Sequence, residues 1–289
     1  MSAEELPEQI IRRILVALDA STDSVAALKT AASLAASLQA ELVGLFVEDI
    51  NLLRLAGLPF ASEVQRVTGT GRVLDEAGME RDLQLQASQA RRALANAAAD
   101  AEATWTFRVV RGVVTTEILA AALEADLLTL GRASRPPIRR RQLGSTARAA
   151  VSQAPGPVLL GHPGMDLEQP VLATFDGTPA AAQALVAAAN MARSGHSDLV
   201  VLLTNDVPGR DSPSARELAE QCEAILSDKG FSAPEDYEYL PHGDQDSLVR
   251  AAQARHCGLL VLGGSSPLLQ GERLQHLLDE LYCPVMLVR

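Results

Sequence analysis

The chain has 289 residues, with 25 Lys and Arg against 36 Asp and Glu, a formal charge of −11. A surface of that sign repels polyanions, so neither nucleic acid nor an anionic membrane is expected as a partner. The length exceeds one ordinary domain, and Cys222, Cys257 and Cys283, which have no CxxC spacing, read as buried reduced thiols of a cytoplasmic protein.

The first eight residues, Met1 to Glu8, are acidic where a secretory signal is basic and then apolar, so export is not expected. Ile14 to Leu18 is a short apolar run ending at Asp19, which predicts a buried parallel strand closed by a polar turn. Ala26, Leu28, Ala31, Ala32, Leu34, Ala35 and Leu38 then form a wide apolar stripe, a helix with Asp23 or Ser24 as its cap. Leu42 to Val47 is the next strand, and helix between like strands is the βαβ pattern. From Glu48 to about Gly78 the pattern is irregular and reads as a long flap. Its Leu52, Leu53, Leu55, Leu58 and Phe60 predict a packed contact surface, with self-association favoured over a ligand lid. Helix Met79 to Asp100, strand Thr104 to Val110, helix Thr115 to Ala125 and strand Leu127 to Leu130 follow. A basic loop, helix Thr146 to Gln153 and strand Val158 to Leu160 complete the first half. The most apolar stretch, Ile118 to Leu130, is interrupted by Glu124 and Asp126 and is too short to span a bilayer.

The chain then repeats itself. Residues 14–47 align without a gap on residues 171–204, an offset of 157 that pairs Asp19 with Asp176. Leu128-Thr129-Leu130-Gly131 matches Leu260-Val261-Leu262-Gly263, and Pro157-Val158-Leu159-Leu160 matches Pro284-Val285-Met286-Leu287. With Gly161-His162-Pro163-Gly164 as the linker, the expectation is two tandem Rossmann-like α/β domains, residues 1–162 and 165–289. Each is an open five-stranded parallel sheet flanked by helices. The second copy lacks the flap.

Ligands of open α/β sheets lie beyond the carboxyl ends of the strands. Asp19 and Gly131 stand at two such ends, and Gly144-Ser145-Thr146 opens a helix whose N–H groups, hydroxyls and dipole suit an anion. Arg132, Arg135, Arg139, Arg140 and Arg141 lie in between and can fork onto phosphate oxygens or form a solvated turn. In the second copy the loop after Gly263 is five residues shorter and Glu272 stands where Ser145 does, so a carboxylate at that helix start is expected to repel phosphate. No GKS or GKT phosphate loop is present, and His162, His196, His242, His256 and His276 show no metal-ligand spacing, so no catalytic residue and no metal site is assigned.

The strand-end Asp19 and the run Gly131, two residues, Ser134, nine residues, Gly144-Ser145 resemble the universal stress protein family. Its nucleotide-binding members carry glycine, two residues, glycine, nine residues, glycine, then serine or threonine. The resemblance covers nearly the whole chain as a tandem pair. It implies ATP, with or without magnesium, lying across the strand ends of the first domain. Ala17, Leu18, Asp19 and Val47 would surround adenine and ribose, and Leu130, Gly131, Ser134, Gly144, Ser145 and Thr146 would line the phosphate path. Ser134 departs from the pattern by adding a β-carbon where the family has its second glycine. The resemblance further implies pairing of last strands, here Val158–Leu160 against Val285–Leu287 inside one chain as an internal pseudo-dimer, with a homodimer also open. The leading expectation is a stress-response regulator that binds ATP with little or no hydrolysis. The alternative is a nucleotide-free module that recruits an unknown protein through the flap. A flavin-binding or adenylating enzyme of related architecture ranks last, its motifs being missing.

Overall fold

The computed structural model describes residues 11–19, 21–58, 62–64, 71–73, 75–132, 143–162, 168–205, 213–241, 244–264, 266, 269 and 272–289. In the first half the elements are β1 (Arg13–Leu18), α1 (Thr22–Leu38), β2 (Glu41–Asp49), α2 (Ile50–Ala56), β3 (Ser62–Val64), β4 (Gly71–Val73), α3 (Glu76–Asp100), β5 (Trp105–Gly112), α4 (Val114–Ala122), β6 (Leu127–Gly131), α5 (Ser145–Gln153) and β7 (Val158–Gly161). The second half supplies β8 (Val171–Phe175), α6 (Pro179–Gly195), β9 (Leu199–Asn205), α7 (Pro213–Asp228), β10 (Asp236–Pro241), α8 (Gln245–Ala254), β11 (Leu259–Gly263), α9 (Glu272–Glu280) and β12 (Val285–Val288).

Ten strands form one sheet in the order β10-β9-β8-β11-β12-β7-β6-β1-β2-β5. Each half contributes five parallel strands in the same internal order, and the halves meet where β12 runs antiparallel to β7. The pairs there are Val285 with Leu160, Met286 with Leu159 and Leu287 with Val158, the strands expected to meet. All six residues are at most 3% exposed, so an apolar sheet edge that would template aggregation is closed within the chain. The outer edge strand β5 instead carries Arg108, paired with Glu124 at 2.8 Å, and Arg111, paired with Glu48 at 2.9 Å and Glu80 at 3.0 Å. Charge at an edge discourages further pairing.

The inner strands β1, β6, β7, β8, β11 and β12 are predominantly apolar because both faces are covered. Ile14, Val16 and Leu18 enter one cluster with α1, α3, α6 and α7. Leu15 and Ala17 enter the other with α4, α5, α8 and α9. Both clusters run through both halves, Leu159 and Met286 joining on one side and Leu160 and Val285 on the other. Among the described residues no helix is long and apolar enough to cross a membrane. The three cysteines are free and buried, and burial holds the Cys222 thiol protonated, its pKa pushed up to about 12.

The flap is more ordered than its composition suggests. It holds the helix α2, capped by the Asp49 carboxylate, and the antiparallel pair β3 and β4, before Asp75 caps α3. Phe60 lies outside the described residues. The cap of α1 is Ser21, not Asp23 or Ser24: the helix starts at Thr22, and the Ser21 hydroxyl accepts the Ser24 N–H at 3.1 Å. Thr178, 157 residues later, caps α6 the same way from Ala181 at 3.2 Å. Both helices also end alike, on Gln39 and His196 in the left-handed conformation (φ 53° and 54°).

A β-carbon at Gly263 would lie 2.9 Å from the backbone of Ala180 and Ala181 at the start of α6. Helix and strand therefore approach too closely for any side chain. Gly263→Ala is expected to cost about 1–3 kcal/mol through a forced backbone shift, read as a lower urea midpoint at unchanged m-value.

Candidate functional site

Within the first half, β1 leads to β2 and then β5 on one side and pairs on the other with β6, which in turn pairs with β7, so the strand order reverses between β1 and β6. Crossovers leave in opposite directions at that point and a crevice must open beyond the strand ends. A cleft of about 490 Å³ lies there, within the ordinary range of ligand pockets. Ala17, Leu18, Asp19, Val47, Leu130, Gly131, Ser145 and Thr146 all line it, eight of the ten residues singled out from the sequence. Gly144 sits immediately behind it as the N-cap of α5, and Ser134 lies outside the described residues.

Local chemistry explains each position. The Asp19 carboxylate accepts the Ser21 N–H at 3.0 Å, and the Ser24 hydroxyl accepts the Asp19 N–H at 3.2 Å, so the turn from β1 into α1 is tied before any ligand arrives. In the second half Asp176 accepts both the Thr178 N–H at 3.0 Å and its hydroxyl at 2.6 Å. The strand-end aspartate thus closes a turn in both halves. Gly131 likewise has a packing reason, since a β-carbon there would come within 2.8 Å of the Asp23 backbone in α1, just as at Gly263. The glycine expected to admit a ligand is required first by its own helix, and it does not distinguish the halves.

Helix starts distinguish the cleft wall. Among the described residues no side chain caps α5, and the amides of Ser145, Thr146 and Ala147, residues that line the cleft, have no intrahelical acceptor. The Gly144 N–H is not among the available donors, because it bonds the Arg132 carbonyl at 2.9 Å and closes the base of the loop. A second helix start, unnoticed in the sequence, also faces the cleft. Val113 at the N-cap of α4 offers no side-chain acceptor, and Val114 and Thr115 line the wall. The signal was present: the run Val113-Val114-Thr115 has no Ser, Asp or Asn where a cap belongs. Two uncapped positive helix ends therefore converge on one volume. Asp49, Asn51 and Leu52 form the rim from α2, so the flap borders the cleft, while Leu55 and Leu58 of the same segment are 47% and 56% exposed.

Arg132, the first arginine of the basic loop, is spent differently from expectation. Arg132 turns away from the cleft and donates through Nη1 to the carbonyls of Leu278 (2.6 Å) and Leu281 (3.0 Å), and through Nη2 to that of Cys283. The carbonyl-rich C-terminal end of α9 in the second half holds this guanidinium more closely than solvent would. Arg135, Arg139, Arg140 and Arg141 lie outside the described residues, as do Gly271 and the side chain of Glu272, at which α9 begins. Among the described residues no cluster of His, Cys, Asp and Glu could hold a metal ion.

The model of the universal stress protein family matches residues 11–162, more than half of the chain. The chain belongs to the universal stress protein family. No curated protein matches it in sequence. Among solved structures, a universal stress protein from Archaeoglobus fulgidus DSM 4304 is similar at 14% identity and TM-score 0.71, over 96% of this chain and 98% of that one. A functionally unknown protein from Pseudomonas aeruginosa PAO1 is similar at 19% identity and TM-score 0.59, over 97% and 93%. At such identities the likeness concerns the fold, and it extends over both halves. A universal stress protein in complex with cAMP matches 53% of the chain at 24% identity, but its TM-score of 0.38 bears on neither fold nor ligand here.

Ser21 both caps α1 and lines the cleft. Ser21→Ala is expected to lower stability by about 1 kcal/mol, measured as a shift of the chemical denaturation midpoint.

Proposed function

We propose that this universal stress protein is a nucleotide-responsive regulator that binds ATP in its first domain, residues 1–162, and keeps a second domain, residues 165–289, as a ligand-free partner. The observation that carries the reading is the convergence of two uncapped helix starts on the cleft at the strand reversal. A phosphate chain is the ligand group that such a wall favours. The ends of β1 and β2 suit a nucleoside: Ala17, Leu18 and Val47 supply apolar surface for a base, and the Asp19 carboxylate keeps acceptor capacity for ribose hydroxyls beyond its bond to Ser21. Magnesium would come with the phosphates and be held by them. The role assigned is occupancy sensing with little or no hydrolysis. A cytoplasmic setting fits the three buried, reduced cysteines.

A second reading rests on Leu55 and Leu58, whose exposure on the flap offers an apolar contact to a protein partner, with the cleft serving no ligand.

Equilibrium dialysis against ATP with magnesium separates the two. Wild type is expected to bind, and Ser145→Glu, which places a carboxylate at the start of α5, is expected to weaken binding about tenfold or more through like-charge repulsion. Wild type that retains no ATP rejects the nucleotide reading, and nucleotide held through purification counts against the flap-only one.

A further inference from the structure

The loop between β6 and α5 belongs to the first half, yet both of its described ends are held by the second. At the leading end, the Arg132 guanidinium spans three carbonyls at the end of α9, those of Leu278, Leu281 and Cys283. At the trailing end, the Leu143 N–H donates to the Gln275 side-chain oxygen, also on α9. The Leu143 side chain is 7% exposed and joins the cluster that contains Leu274, Leu277, Leu278 and Leu281. Between these anchors, the bond from the Gly144 N–H to the Arg132 carbonyl fixes the spacing of the two ends. The next residue, Ser145, is the first of the helix that lines the cleft.

A reciprocal clamp crosses the same junction without touching this loop. Arg289, after β12, donates to the carbonyls of Val151 and Ala154 at the end of α5. Two arginines thus join the halves, and only one of them sits on the loop.

We propose that α9 of the second half is a template for the anion-binding start of α5 in the first, with Arg132 and Gln275 as positioning residues that set where that start stands. They do so without touching the ligand. This rests on the nucleotide reading and adds a role for the half that has no ligand of its own. A helix start held in place before the anion arrives loses less freedom on binding, so its affinity for the phosphate part of a ligand is raised while that for the nucleoside part is unaffected. Displacement of oriented donors by an ångström is enough to change the strength of an interaction by roughly ten- to a hundredfold.

The test is titration calorimetry on the full chain with two probes, ATP with magnesium and adenosine, for wild type, Gln275→Leu, Arg132→Leu and Arg289→Leu. Gln275 is only partly buried, so Gln275→Leu keeps the fold even if Arg132→Leu does not. The expected result is a Kd for ATP raised about tenfold or more in Gln275→Leu and Arg132→Leu, with the Kd for adenosine unchanged. Arg289→Leu, which removes the other arginine of the junction but spares the loop, is expected to leave both constants at the wild-type values. Gln275→Leu binding ATP as wild type does, or losing ATP and adenosine in equal proportion, overturns the positioning role alone. Wild type that binds neither probe overturns the nucleotide reading and this inference with it.

Discussion

Everything in this molecule depends on the antiparallel contact of β12 with β7. A five-stranded parallel sheet of this strand order ends on its last strand, and here that strand is apolar on both faces. Left alone, each half would present a hydrophobic edge with unpaired N–H and C=O groups. Pairing the two edges satisfies the backbone and also merges the covering layers, since each hydrophobic cluster continues across the junction. The buried leucines there are each worth about 1.5–3 kcal/mol, so separating the halves would cost far more than hydrogen bonds alone.

That contact also fixes which ends of the two halves are neighbours. Because the strands are antiparallel, the carboxyl end of β6 lies near the start of β12, and the end of α9 comes within reach of Arg132. The last helix of each copy consequently ends on an arginine of the other, Arg132 at the end of α9 and Arg289 at the end of α5. The start of α5 in addition faces the cleft with uncapped amides. Helix α5 thus uses both its positive and its negative end.

The shared features of the halves are packing requirements. Asp19 and Asp176 close the same turn, Ser21 and Thr178 make the same cap, and Gly131 and Gly263 leave room for the same helix. None of these separates a ligand-binding copy from an empty one. What differs is the loop after the glycine and the flap, of which α2 brings Asn51 and Leu52 to the rim of the cleft.

The sequence by itself determined the strands and long helices of both halves, because continuous apolar runs and the 3.6-residue stripe are local consequences of burying one or both faces. It also marked Asp19, Gly131, Ser145 and Thr146 as neighbours of one cleft, since the βαβ order dictates where strand ends gather. Two things needed the tertiary structure. The seven-residue α2 was too short for a periodic pattern to stand out from an irregular flap, and its order comes from the Asp49 cap and from packing Leu53 inward. The fate of Arg132 was beyond any local pattern, because its partners are about 150 residues away in sequence and become neighbours only when the two sheets join. A basic residue beside a glycine loop looks the same in sequence whether it faces a ligand or a helix end, and only the joined sheet places one of them in front of it.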